Sequence, residues 1–240
     1  MSVLKLNYRV NLKEVSPNGY ISNKGILMMF EDIACYHSDL VGCGYNDVET
    51  THSVWILLNW KVKILNRVRY GDEVTVKTWT HSSNKLYSYR DFEMYDKDNK
   101  LIAIATSKWV LMSSETHNVI HIPDKLITIF SPEETEVFGD NKITKLTEPS
   151  NSKLVYSFNV QRRDIDVNHH MNNLFYLDYA YEALPEEIYK KDFKQIEIMY
   201  KYSAKLGNKV NCFYAEENGS QYIVMKNEDY TTIYCIVKLS

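Results

Sequence analysis

The densest group of reactive side chains is Arg163-Asp-Ile-Asp-Val-Asn-His-His-Met-Asn-Asn173. Asp164, Asp166, Asn168 and His170 alternate with Ile165, Val167, His169 and Met171. In an extended segment, residues two apart project to one side, so Asp166, Asn168 and His170 are expected to share a face. A carboxylate can accept a proton or orient a water, and an imidazole does acid–base work near neutral pH. An amide, with the open N–H groups of a helix beginning near Asn172, can hold a developing oxyanion. Together these suit hydrolysis, and for a thioester an activated water suffices. Blander roles compete. Asn172 or Asn173 can simply cap the helix, and His169, on the other side of the alternation, is read as structural. Two adjacent His with two Asp can also ligate a metal, but the spacing fits no strong metal motif, and neither metal nor cofactor is expected.

The surrounding elements read as one pattern given twice. Tyr8–Val15 alternates as a strand does, and Ser16-Pro-Asn-Gly19 is turn-rich. Ile26–Leu40 then carries apolar residues at helical spacing. Strand-like segments follow at Val54–Leu65, Glu73–His81, Leu86–Tyr95 and Leu101–Met112. The second half repeats the order. A strand is predicted at Lys153–Gln161, a helix at Asn172–Leu184, and strands at Gln195–Lys205, Lys209–Glu216, Gln221–Asn227 and Thr231–Leu239. Gly207-Asn208 matches Gly71-Asp72. The duplication predicts domains at 1–125 and 153–240, with the polar stretch 126–152 as linker. Two such units can pair their sheets edge to edge and so cover exposed edges. The first copy has no Asp-x-Asn-x-His at the matching place, Ser16–Gly25, so one equipped copy and one supporting copy are expected.

The totals limit the alternatives. With 240 residues, 45% hydrophobic and 25% charged, the chain has globular composition. A net charge of −3 argues against a nucleic-acid partner. No apolar run approaches the roughly 20 residues of a membrane helix, so no membrane insertion is expected, and the N-terminus lacks a signal-peptide pattern. The four cysteines form no Cys-x-x-Cys pair and read as reduced residues of a cytoplasmic protein. The 19 tyrosines favour sheet.

At Asp166-Val-Asn168-His-His170-Met-Asn172-Asn173 the chain resembles the acyl-ACP thioesterases of plants and bacteria. An aromatic-rich helix and Glu182-Ala-Leu-Pro185 follow as in that family. In the first half, Trp55, Trp60, Tyr70-Gly-Asp72, Thr78-Trp79, Arg90-Asp91-Phe92 and Trp109 fall in the family's order. The resemblance implies an α+β tandem (double) hot-dog fold, each long helix wrapped by an antiparallel sheet. It implies hydrolysis of a fatty acyl thioester on acyl-carrier protein, with Asp166, Asn168 and His170 as the catalytic set. The first domain then shapes the acyl pocket, with Met28, Met29 and Trp55 as candidate lining. One departure stands out. Plant members carry Glu-Cys where this chain has Ser203-Ala204, which excludes a cysteine nucleophile there and leaves Ser203 to help hold a water. Glu197, six residues earlier on the predicted strand, is too distant to substitute.

Acyl-carrier protein is acidic, so a basic docking patch is expected. Lys61, Lys63, Arg67 and Arg69 are one candidate, and Lys201, Lys205 and Lys209 another. A homodimer stays open. The rival functions are an acyl-CoA thioesterase, a dehydratase or hydratase on the same fold, and a non-catalytic acyl-thioester binding module.

Overall fold

A computed structural model describes residues 2–139 and 143–240. The chain divides into two units, Met1–Ile143 and Thr144–Ser240. In the first, β1 (Val3–Arg9) leads through a turn to α1 (Asn23–Leu40). Then follow α2 (Val48–Thr51), β2 (Ser53–Ile64), β3 (Glu73–Ser83), β4 (Ser88–Asp96), β5 (Leu101–Ser113), β6 (Val119–Ile120) and α3 (Asp124–Phe130). The sheet runs β1-β3-β4-β5-β2, every neighbour antiparallel, with β6 added on β5.

Helix α1 starts where the Ser22 hydroxyl accepts the Gly25 N–H at 2.9 Å. Ile26, Phe30, Ile33 and His37 recur every three or four residues and are buried. Phe30 packs on Phe92 of β4 with ring centroids 5.0 Å apart, and Trp60 of β2 meets Phe92 at 5.1 Å. Each such aromatic ring contributes about 1.5–3 kcal/mol on burial. The start of α1 crowds the preceding turn, since a Cβ on Gly25 would sit 2.3 Å from the Glu14 carbonyl oxygen.

The predicted strand at Tyr8–Val15 stops at Arg9. The Glu14 carboxylate turns back to accept the Asn11 N–H at 2.6 Å, winding Leu12–Glu14 into a 3₁₀ turn. Within the stretch 126–152, Phe130 is buried. Residues 133–137 are strapped to β3 and β4: Glu133 N–H to the Thr80 carbonyl (2.8 Å), Trp79 Nε1–H to the Thr135 carbonyl (2.9 Å), and Val137 N–H to the Asp91 carboxylate (2.8 Å).

The second unit repeats the order with β7 (Lys153–Asn159), α4 (Asn173–Glu182), α5 (Glu186–Tyr189), β8 (Gln195–Tyr200), β9 (Lys209–Glu217), β10 (Ser220–Lys226) and β11 (Ile233–Leu239). Its sheet runs β7-β9-β10-β11-β8, the same strand order as in the first unit. The hydrogen bonds repeat as well. Val10 N–H meets the Asp72 carbonyl and Gly71 N–H the Val10 carbonyl, at 2.9 and 3.0 Å. Val160, Asn208 and Gly207 make the same two bonds at the same lengths. Asp72 and Asn208 side chains then accept the Arg69 and Lys205 N–H groups, closing equivalent turns at positive-φ Gly71 and Gly207. Strands β7 and β11 are each two residues shorter than predicted, and two elements fall further short. Helix α4 has 10 residues against 18 in α1, and β8 ends at Tyr200 rather than running to Lys205. The family's fold, a helix packed on an antiparallel sheet and given twice, is what the chain adopts, with the second helix the shorter.

Candidate active site

Asp166, Asn168 and His170 do not lie in an extended segment. Residues 165–171 form a tight hairpin turn closed by an Ile165–Met171 bridge. Asp166 N–H bonds the His170 carbonyl at 2.9 Å, and His169 N–H bonds the Asp166 carbonyl at 3.1 Å. The turn reverses because His169 takes a left-handed backbone, φ 61°. The Asp166 carboxylate stabilises that reversal: its Oδ1 accepts the Asn168 N–H at 2.8 Å and the His170 N–H at 3.4 Å. The expected alternation fails because an Asp with a short side chain can satisfy the N–H two residues on, and so competes with the extended chain. The three side chains still belong to one turn. Asn168 is exposed, while Asp166 and His170 are half-buried.

The turn feeds directly into α4. Asn172 caps the helix, its Oδ1 accepting the Leu174 N–H at 2.9 Å, and Phe175 N–H bonds the Asn172 carbonyl at 3.1 Å. Two N–H groups expected to serve an oxyanion are therefore already used, which leaves the Asn173 N–H and the Asn168 amide as donors. Met171 N–H bonds the Ala204 carbonyl (2.8 Å), and Ala204 N–H bonds the Tyr176 hydroxyl (3.0 Å). Burial pushes that phenol well above the usual tyrosine range, so it stays a neutral hydroxyl. Ser203 is thereby set beside the end of the turn, where it leads into α4. It is exposed, and it lies beyond the end of β8 rather than on the strand.

Sequence reasoning missed the group that anchors the turn from below. Asp164 is 1% exposed. Its Oδ2 accepts the Gln161 N–H at 2.8 Å and the Tyr179 hydroxyl at 2.9 Å, while Arg163 Nε approaches Oδ1 at 3.8 Å. Burial and the Asp164 carboxylate push the Tyr179 phenol up to about 12. Tyr179 also stacks on Phe158 of β7, with centroids 3.5 Å apart. The signal was present as Gln161-x-x-Asp164, an acidic residue three positions past a helix-turn cap.

The remaining candidates separate. Met28 is half-buried and lines a shallow cleft of about 480 Å³ with Arg9, Leu12, Lys13 and Tyr70. Met29, by contrast, is core. Trp55 is half-buried, its ring centroid 6.4 Å from that of Phe130. Glu197 is held by Lys238 at 2.8 Å. The first basic cluster disperses. Arg67 donates to the Ile21 carbonyl and to Asn23 Oδ1, Arg69 stacks over and bonds Tyr20, and Lys61 sits 4.8 Å over the Phe138 ring. Lys201, Lys205 and Lys209 are exposed, with Lys209 3.8 Å from Glu228. No helix among the described residues is long and apolar enough to cross a membrane.

Residues 2–130 match the acyl-ACP thioesterase N-terminal domain, and residues 147–238 match the C-terminal domain of the same family. Among curated relatives, the oleoyl-acyl carrier protein thioesterases 1 and 2 of Arabidopsis thaliana chloroplasts are 27% and 25% identical, over 77% and 91% of this chain. The chain spans 55% and 64% of the length of those two proteins. An acyl-ACP thioesterase from Bacteroides thetaiotaomicron superposes with a TM-score of 0.89 at 20% identity, covering 99% of this chain and 96% of that one. The 12:0-ACP thioesterase of Umbellularia californica superposes at 0.84, also at 20% identity and with the same coverage. At such identities the likeness establishes the fold.

Proposed function

The chain belongs to the acyl-ACP thioesterase family, and from that premise we propose that it hydrolyses fatty acyl thioesters of acyl-carrier protein during fatty acid biosynthesis. The observation that carries the reading is the Asp166–His170 turn. It places a carboxylate, an amide and an imidazole within one reversal at the head of α4, on a backbone that the first unit reproduces without them.

In this reading, His170 takes a proton from a water whose oxygen attacks the thioester carbonyl. Asn168, with the Asn173 N–H, steadies the oxyanion. Asp166 holds the turn, and so His170, in place through its two backbone bonds. Collapse of the intermediate breaks the carbon–sulfur bond, the proton passes to the leaving thiolate, and free acid and thiol result. No cofactor enters. The partner is acyl-carrier protein, and Lys63, Lys201 and Lys205 are candidate bases left exposed to meet its acidic surface. The four unpaired cysteines support a reducing, cytoplasmic setting.

A second reading, a non-catalytic acyl-thioester binder, draws on Ser203, which stands exposed where plant members carry Glu. Thiol release from matched acyl-carrier-protein and acyl-CoA thioesters decides. Turnover on the carrier protein supports the hydrolase. Binding without thiol release supports the binder, and faster turnover on CoA makes CoA the carrier.

A further inference from the structure

Arg90 of β4 is 5% exposed, yet it carries a full charge inside the first unit. One nitrogen, Nη1, meets His37 Nδ1 at 2.9 Å and the Thr78 hydroxyl at 3.3 Å. Its Cζ lies 5.2 Å from the Phe130 ring centroid. Asp91, the next residue, points to the other side of the strand and is taken by the Val137 N–H. The ionisable groups that act on Arg90 are the thiols of Cys43 and Cys35. Burial raises both, Cys35 to about 12, so neither is an anion at neutral pH. Burial also pulls Arg90 down to about 10, which leaves it cationic under the same conditions. Among the described residues no carboxylate bonds Arg90; a buried cation without an anion is costly, and a guanidinium has five N–H groups to satisfy.

A donor without an oxygen or nitrogen partner lies in the same cluster. The Trp55 indole N–H is buried without an oxygen or nitrogen acceptor and has only the weak Cys43 sulfur beside it. Trp55 and Arg90 share Phe130, whose ring also meets His37 edge-on at 5.4 Å. The cluster joins a cation and an indole N–H, with no carboxylate bonded to either among the described residues, and it is walled by aromatic carbon. The ligand that complements it carries a negative oxygen pair on an apolar body.

We propose that this cluster is a carboxylate site, in which Arg90 and Trp55 receive the head group of a free aliphatic acid against Phe130. The site is independent of the Asp166–His170 turn. It rests on the hydrolase reading only in that such acids would be that reaction's product, which the site would then sense.

Calorimetric titration of the full chain with decanoate, decanol and inorganic phosphate tests this without any turnover measurement. Decanoate is expected to bind at least about tenfold more tightly than decanol, the difference being the charged head group. In Arg90→Met that preference should disappear, while the melting temperature holds or rises, because an apolar side chain replaces an unpaired cation. Equal affinity of the parent for decanoate and decanol overturns the proposal without recourse to any variant. So does a decanoate preference that survives in Arg90→Met, or no binding of decanoate at all. Phosphate competing away decanoate would support the site and assign recognition to the head group. Failure to compete, with the decanoate preference intact, would support it and assign a share to the chain.

Discussion

Residues 14–22 of the first unit and 164–172 of the second are the same device with different chemistry. In both, an acidic side chain folds back on a 3₁₀ turn, Glu14 on the Asn11 N–H and Asp164 on the Gln161 N–H. In both, the following hairpin is closed by equivalent bonds, Ser16 N–H to the Tyr20 carbonyl and Asp166 N–H to the His170 carbonyl. Both then dock on a neighbouring carbonyl, Ile21 N–H on Val68 and Met171 N–H on Ala204. The left-handed position is Gly19 in one and His169 in the other. What differs is what the turn carries. Ser16-Pro-Asn-Gly-Tyr20 offers no acid or imidazole, and Arg67 covers its helix start by bonding Ile21 and Asn23. Asp166-Val-Asn-His-His170 offers both, and the residue equivalent to Arg67 is the exposed Ser203. The scaffold is thus a structural solution to joining strand and helix, and the candidate catalytic side chains are an addition to one copy.

The sharpest break in this comparison is His170→Ala. Loss of an acid–base group should lower thiol release by about 10²–10⁴-fold, with the melting temperature close to the parent's. Unchanged turnover would take the imidazole out of the mechanism. Tyr179→Phe asks whether the equipped copy needs its buried anchor. It leaves Asp164 Oδ2 short of a donor and should cost about 1–3 kcal/mol in denaturant unfolding. A cost near zero would mean that the Gln161 N–H alone suffices. Ser203→Arg turns the second junction into the first. If Arg67 is what closes the first copy, the variant should lose about tenfold or more in turnover through displaced geometry, at little cost in stability. Ser203→Glu, which restores the plant-like residue, should preserve or raise turnover. The smallest effect is expected from His169→Gly, which copies Gly19. Relief of the left-handed backbone should stabilise the protein by about 1 kcal/mol, and turnover should hold if His169 is structural. A fall in turnover would give that side chain a role.

The sequence exposed the duplication, the strand order's raw elements and the Asp166–His170 cluster, because periodicity and turn residues are local signals. Its errors came from side chains that act on backbone. Asp166 bends what alternation predicts to be straight, and Glu14 ends β1 early. The dispersal of Lys61, Arg67 and Arg69 was also hidden, since their partners Phe138, Ile21 and Tyr20 are far away in sequence. Alternating bases looked like a patch because nothing local tells a solvated arginine from a captured one. Arg90 was visible only as part of a family-like string. Its burial without a carboxylate partner among the described residues depends on Asp91 pointing elsewhere, which no spacing rule reveals.

The central claim is that the second turn, and not the first, performs hydrolysis. Thiol release from a panel of acyl-carrier-protein thioesters, measured for the parent and for Asp166→Ala, tests it most directly, with Ser16→Ala as the equivalent change in the first unit. The account predicts release by the parent and by Ser16→Ala, and its loss in Asp166→Ala. Equal release by all three proteins, or loss in Ser16→Ala alone, would contradict it.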